Sequence, residues 1–217
     1  MGDEFFNFIE FLIRNISGRL GRTIRYSYYR RRLGGCGKNV VIEQGVFFQS
    51  SKFIFLGDAV WVDKYSILIA GPFSPQGRKF HHKANENYKG EPGQMKIGNG
   101  VHIAPFVLLQ AHAGLSIGNS VTVASGAKVY TLSHHYRNLN DLQDSKRYSF
   151  SSMAAKEDQF LIVSPVVIGD RTAVGLNSVV LPGTTISDGT WLGVLTHVDS
   201  KVTESNAVFT SESALKR

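Results

Sequence analysis

The sequence holds a single cysteine, Cys36, in 217 residues. One thiol builds no disulfide framework, so a reducing cytoplasm is the expected setting. Long apolar runs are missing too. The stretch from Phe5 to Ile13 is too short to span a bilayer and is broken by Asn7 and Glu10. A secretory leader is not expected, because the first charges, Asp3 and Glu4, have the wrong sign and no small-residue cleavage site follows. Proline is sparse, with six against 22 glycines. The length allows one substantial core and at most a small appendage.

The net charge of +7 is uneven. Residues 1–38 carry eight Lys/Arg and three Asp/Glu, a net of +5, which leaves +2 for the rest. A basic surface confined to one end argues against general nucleic-acid binding.

What is abundant is a register of six. Aliphatics recur at Leu56, Val62 and Leu68; at Ile97, Ile103 and Leu109; at Ile117, Val123 and Val129 after a two-residue slip; and unbroken from Ile168 through Val174, Val180, Ile186 and Leu192 to Val198. Four places after each of these fifteen, Ser, Thr, Ala or Val follows in fourteen cases, Pro72 being the exception. The next residue is Gly, Ala or Asp in ten. A period of six predicts short strands with a turn after each, three flat faces closing one coil, and about five coils in fifteen units. The aliphatic fills the corner, the small residue packs beside it, and Gly, Asn and Asp supply positive φ at the turns. Coil-to-coil hydrogen bonds satisfy the backbone. A β-sandwich would show a period of two instead. The expected fold is an all-β solenoid, a parallel β-helix whose hand the spacing does not set.

Two segments, residues 71–94 and 134–164, break the register as long polar excursions, and segments of that length are usually functional or disordered. Ahead of the coils, residues 1–38 read as a basic amphipathic helical segment. Phe5, Phe8, Ile9, Leu12, Ile13 and Ile16 share a face, and Gly18 and Gly21 divide it into two short helices. Aromatics beside Arg14, Arg19, Arg22, Arg25 and Arg30 to Arg32 suit an anionic membrane surface. They equally suit a cap on the open end of a solenoid. Residues 204–217 form a C-terminal tail.

The six-residue spacing, a histidine-bearing excursion after VTVASGAKVYTLSHHY, and the lead-in YYRRRLGGCGKNVVI resemble the hexapeptide-repeat acyltransferases over about residues 39–203. The resemblance is to the galactoside, maltose and xenobiotic O-acetyltransferase branch, and most of all to polysaccharide-modifying members. It implies a left-handed parallel β-helix and a homotrimer. It also implies acetyl-CoA as co-substrate with no metal, and a sugar or glycan acceptor met in a cleft between subunits. The base implied is His134, with His135 as the alternative; imidazole is neutral near pH 7 yet able to take a hydroxyl proton. Acceptor contacts are expected from His112 in the slip, from Gln110, and from Tyr136 and Arg137 in the second excursion. Leu176 and Val194 match pantetheine positions, and Ser200 with Lys201 stands where a phosphate-binding lysine would be. His81 and His82 read as solvated loop residues, and His102 and His197 as surface residues of the coil.

Departures fall on the ligand contacts. An acceptor-binding ANxN stretch is replaced by IAPF, with Ala104 at the asparagine's place; a TKD stretch is replaced by VDSKVTE, and a terminal GxPA by FTSES. Two other functions fit a solenoid. A gamma-type carbonic anhydrase needs two histidines five residues apart, and no pair here has that separation. A non-catalytic trimeric scaffold would bind no CoA. O- and N-acylation both remain open, and the expected location is cytoplasmic with a peripheral contact at the inner face of the membrane.

Overall fold

Burial of the register residues organises the molecule. The structure, a computed structural model, describes residues 2–199, 201–202 and 204–210. All fifteen aliphatics of the six-residue register are buried in one continuous core. Each contributes about 1.5–3 kcal/mol by leaving water. Strands of two or three residues line three faces. The first runs from Gly35–Cys36 to Lys201–Val202, the second from Val41–Ile42 to Trp191–Leu192 and Val208–Phe209, and the third from Phe47–Gln49 to His197–Val198. Every pairing within these faces is parallel, and the register stacks like on like. Leu56 lies on Ile97, Ile97 on Ile117, Ile117 on Ile168, and Ile168 on Ile186.

Several of the small residues four places on carry hydroxyls that donate to the neighbouring coil, while Thr196 Oγ1 is buried with no partner among the described residues. Ser66 Oγ donates to the carbonyl of Ala104, Ser178 Oγ to Gly193 and Thr184 Oγ1 to Val198. These bonds let a polar group sit in the core without the cost of an unmet donor.

Positive φ at the coil turns falls on glycine at Gly45, Gly100, Gly126 and Gly189, as expected, but not on glycine alone. It occurs too at turn positions held by Tyr65, Phe106 and Leu195 as well as by Asn39 and Asn177. Gly98 is needed for close approach instead: a Cβ there would lie 2.6 Å from the Gly118 carbonyl oxygen of the next coil. Beside it runs a ladder of Asx side chains. Asn99 Oδ1 accepts the Asp58 N–H at 2.8 Å, Asn119 Oδ1 that of Asn99 at 2.9 Å, and Asp170 Oδ1 that of Asn119 at 2.7 Å.

The lead-in forms two helices, α1 (Gly2–Arg14) and α2 (Gly18–Tyr29), parted before Gly18 at a φ of 71°. Helix α2 closes the open end of the coils. Tyr29 meets Phe48 edge-on at 4.7 Å within the core. Arg25 is fully buried and donates to the carbonyls of Ile42, Ile13 and Ile16 at 2.9, 3.0 and 2.6 Å. It ties the frayed end of α1 to the first coil. On α1, Phe8, Phe11 and Leu12 stay more than half exposed. No helix among the described residues is long and apolar enough to cross a membrane.

All three interruptions fall at one corner, between the third and first faces, in consecutive coils: residues 70–94, 111–114 and 130–165. The two long excursions pair with each other. Leu132–His134 runs antiparallel to Phe160–Val163, which runs parallel to Lys79–His82. Residues 79–82 are therefore a strand, where solvated loop was expected. Phe73, Phe80 and Leu132 pack against Ala113, Leu161 and Val163 beneath this side sheet.

Candidate active site

A cleft of about 310 Å³ opens where the side sheet meets the coil corner. Gln110, His112 and His134 line it together with Arg78, Gln159 and Phe73. Coil geometry explains the convergence. Gln110 ends a third-face strand and His112 sits in the slip that follows. His134 ends the strand that leaves the next coil at the same corner. The Leu132 N–H donates to Gln110 Oε1 at 3.0 Å and the Ala113 N–H to Thr131 Oγ1 at 3.1 Å, so the two coils are pinned together at the cleft floor.

The two histidines differ in their bonding. His112 Nδ1 lies 3.0 Å from the Gly71 carbonyl oxygen. A carbonyl only accepts, so Nδ1 carries the hydrogen and the neutral ring keeps its lone pair on Nε2. His134 Nε2 is shielded from solvent and has no hydrogen-bond partner in the structure. Among the described residues no protein group satisfies that nitrogen, although His134 itself lines the cleft. His135 faces elsewhere. Its Nδ1 is engaged by the Arg137 backbone, with oxygen at 2.9 Å and nitrogen at 3.2 Å, and its ring rests on Tyr136 at 4.8 Å.

Tyr136 and Arg137 do not reach the cleft. Once the strand ends at His134 the chain turns outward, and the Tyr136 ring is held against the guanidinium groups of Arg137 and Arg147 at 5.3 and 5.2 Å. The second excursion is braced around Asp144. Asn138 Nδ2 and Tyr148 Oη donate to Asp144 Oδ2 at 3.0 and 2.7 Å, and the Lys146 N–H donates to Oδ1 at 2.9 Å. These bonds hold its carboxyl well below the usual carboxylate range. Lys79 Nζ donates to Tyr148 Oη at 2.9 Å, which pushes the Lys79 ammonium up and joins the first excursion to the second.

No family model and no curated protein matches the sequence. Solved structures do match. An N-acyltransferase, AntD, from Bacillus cereus in complex with dTDP and 3-hydroxybutyryl-CoA aligns at a TM-score of 0.61 and 18% identity over 86% of this chain and 83% of that one. A maltose O-acetyltransferase from Clostridium difficile 630 aligns at 0.55 and 17%, covering 96% and 81%. A hexapeptide-repeat acetyltransferase from Vibrio cholerae O1 biovar eltor, complexed with acetyl coenzyme A, aligns at 0.53 and 17%, covering 94% and 79%. The chain has their fold. It is a left-handed parallel β-helix.

On this β-helix the positions suggested for CoA lie away from the cleft. Leu176 and Val194 are exposed in successive turns between the second and third faces, one coil apart. Lys201 is exposed on the first face, and Ser200 lies outside the described residues. The Leu176 corner carries an apolar stripe: Tyr65, Phe106 and Leu195 are each about half exposed or more, and the first two rings stack at 5.7 Å. His102 sits 3.6 Å from an Asp63 carboxylate oxygen on the second face, and His197 is exposed on the third. His81 Nδ1 lies 2.7 Å from Asn140 Oδ1 across the side sheet. Among the described residues no three His, Cys, Asp or Glu side chains converge as metal ligands would.

Sequence reasoning missed Arg78 and Gln159. They stand 81 positions apart and meet only because the excursions pair. The signal was the apolar run Phe160–Val163 inside an otherwise polar excursion, which reads as a strand seeking a partner.

Proposed function

We propose that this protein is an acyltransferase that moves an acetyl group from acetyl-CoA to a hydroxyl or amino group of a sugar or glycan precursor. The observation that carries the reading is the convergence of His134, His112 and Gln110 on one cleft at the corner where the excursions leave the coil. In this mechanism the free Nε2 of His134 takes the acceptor proton as the acceptor oxygen or nitrogen attacks the thioester carbonyl. A new C–O or C–N bond forms. The tetrahedral adduct then collapses, the C–S bond breaks, and the CoA thiolate leaves with the proton from the imidazolium. His112, its tautomer fixed by the Gly71 carbonyl, accepts a hydrogen bond from the acceptor and orients it. The fold shared with CoA-bound acyltransferases supports this reading.

The working unit is a homotrimer. Within one chain the Leu176–Val194 corner and the His134 corner lie on different edges of the prism, so acetyl-CoA bound at the first meets His134 of a neighbour rather than its own. The apolar stripe along the Leu176 corner supports burial there. The exposed aromatics of α1, beside the arginines of α2, support a peripheral contact with an anionic membrane.

The test is direct. Purified protein is given acetyl-CoA and a panel of amino sugars, glycans and nucleotide-linked sugars. Thiol release is followed together with product mass. Acetylated product is expected. No transfer and no calorimetric binding of CoA would leave a scaffold in its place.

A further inference from the structure

Arg78 is the cation of the cleft, and no carboxylate answers it. Among the described residues no acidic side chain lines the cleft, and the guanidinium joins no ion pair. Its place is nevertheless fixed. Nε donates to Gln159 Oε1 at 2.9 Å, and Nη1 lies 3.5 Å from the Pro75 carbonyl. Gln159 is itself 1% exposed and is held by its own Nε2, which donates to the carbonyls of Ala154 and Ser152 at 2.6 and 3.3 Å. A buried amide that serves to orient a guanidinium is a built feature, since Gln is seldom buried so completely without such a task. Nη2 makes no hydrogen bond among the described residues. At the rim Lys156 Nζ donates to Gln76 Oε1 at 3.3 Å, adding a second cation beside a lining residue.

A fixed guanidinium with a free edge, lining the same cleft as two histidines and no acidic residue, matches the planar oxyanion geometry that arginine binds in bidentate fashion. We propose that the acceptor is anionic: Arg78 holds a phosphoryl or carboxylate group of the sugar while His134 acts on its hydroxyl or amino group. This rests on the acyl-transfer reading above. It adds the substrate class, and it makes Arg78 the residue that selects charged sugars over neutral ones.

The experiment compares glucosamine, glucosamine 1-phosphate and 2-amino-2-deoxyglucuronic acid as acceptors, varying each at saturating acetyl-CoA and then acetyl-CoA at fixed acceptor, for the wild type, Arg78→Gln and Arg78→Lys. Binding of the same three sugars is measured by calorimetry without acetyl-CoA. An anionic sugar should be preferred to glucosamine by roughly ten- to hundredfold in kcat/KM, as a charge-assisted bidentate contact allows. Whichever anionic sugar shows the preference identifies the group as phosphoryl or carboxylate. Arg78→Gln should remove the preference through the acceptor KM, and Arg78→Lys should restore part of it. Equal use and equal binding of neutral and anionic sugars would overturn the proposal. So would an Arg78→Gln effect confined to the KM for acetyl-CoA, which would give the guanidinium to the donor's phosphates. Arg78-dependent binding of an anionic sugar with no acetyl transfer to any acceptor would refute the acyl-transfer reading and leave the anion site standing.

Discussion

Replacing His134 with alanine removes the proposed base and almost nothing else. Its Nε2 has no hydrogen-bond partner, so the substitution strands no buried donor or acceptor. The strand that carries it keeps its backbone pairing to Leu161, and the two hydrogen bonds that pin the cleft floor come from Leu132 and Ala113. The stability change should therefore stay within about 1 kcal/mol, in the range of substitutions that leave no unmet partner or large cavity. The kinetic change should be far larger. A positioned general base contributes roughly 10²–10⁴-fold, which is about 2.7–5.5 kcal/mol of transition-state stabilisation. Steady-state thiol release should show this loss in kcat, with the acetyl-CoA KM little changed. His135→Ala is the control, since that ring is committed to the Arg137 backbone, and its turnover should stay within about tenfold of wild type. If His134→Ala turns over normally while His135→Ala or His112→Ala is dead, the assignment of the base is refuted.

Arg25→Met should destabilise the fold by about 3 kcal/mol or more, since it leaves the Ile42, Ile13 and Ile16 carbonyls without their donor; a loss below about 1 kcal/mol in chemical denaturation would remove the capping role. Asp144→Ala should speed proteolysis within residues 135–158. Asp144 has a depressed folded value, so its contribution is complete above the unfolded carboxylate value near ~3.9 and fades as pH falls through the lower, folded one. The wild-type advantage over Asp144→Ala should accordingly shrink only in acid, and a gap that stays constant from neutral pH to about pH 3 would contradict it. Phe8→Ser with Phe11→Ser should abolish sedimentation with anionic liposomes and leave melting unchanged, because both rings are exposed; unchanged sedimentation would take α1 off the membrane. Leu195→Glu should split the proposed trimer, read by light scattering, and silence the proposed acetyl transfer with it. An active monomer would show that one chain holds the whole site.

The solenoid was legible because its cause is local. Each aliphatic from Ile168 to Val198 repeats the same demand for a buried corner, and every one of them is buried. The meaning of the glycines was not legible in the same way. Gly98 looks like a turn residue in the sequence, yet what forbids a side chain there is the Gly118 carbonyl of the next coil, a contact known only once the coils are stacked. The position of His134 at the end of a coil was legible, because place along the chain is enough to say so. Tyr136 and Arg137 were drawn toward the site by proximity in sequence, but the strand ends at His134 and carries them outward. Arg78 and Gln159 lay beyond reach, since neither means anything without the side sheet that joins the two excursions.

That side sheet also explains how a rigid coil can carry a specific site. Interruptions at different corners would point their loops away from one another. Here they share one corner in three consecutive coils, and the middle interruption, 111–114, is short, so the long excursions on either side of it can reach and pair with each other. The buried core is indifferent to what happens at that corner, because Leu68, Leu109 and Val129 keep their stack below it whatever the chain does above. Histidines fixed to the coil end can then meet different acceptors as the excursions vary in length and side chains. On the proposed reading, chemistry and selectivity are divided between two parts of the structure. His112 and His134 belong to the corner itself, while Arg78 and Gln159 belong to the excursions, and exchanging the latter should change the acceptor without moving the base.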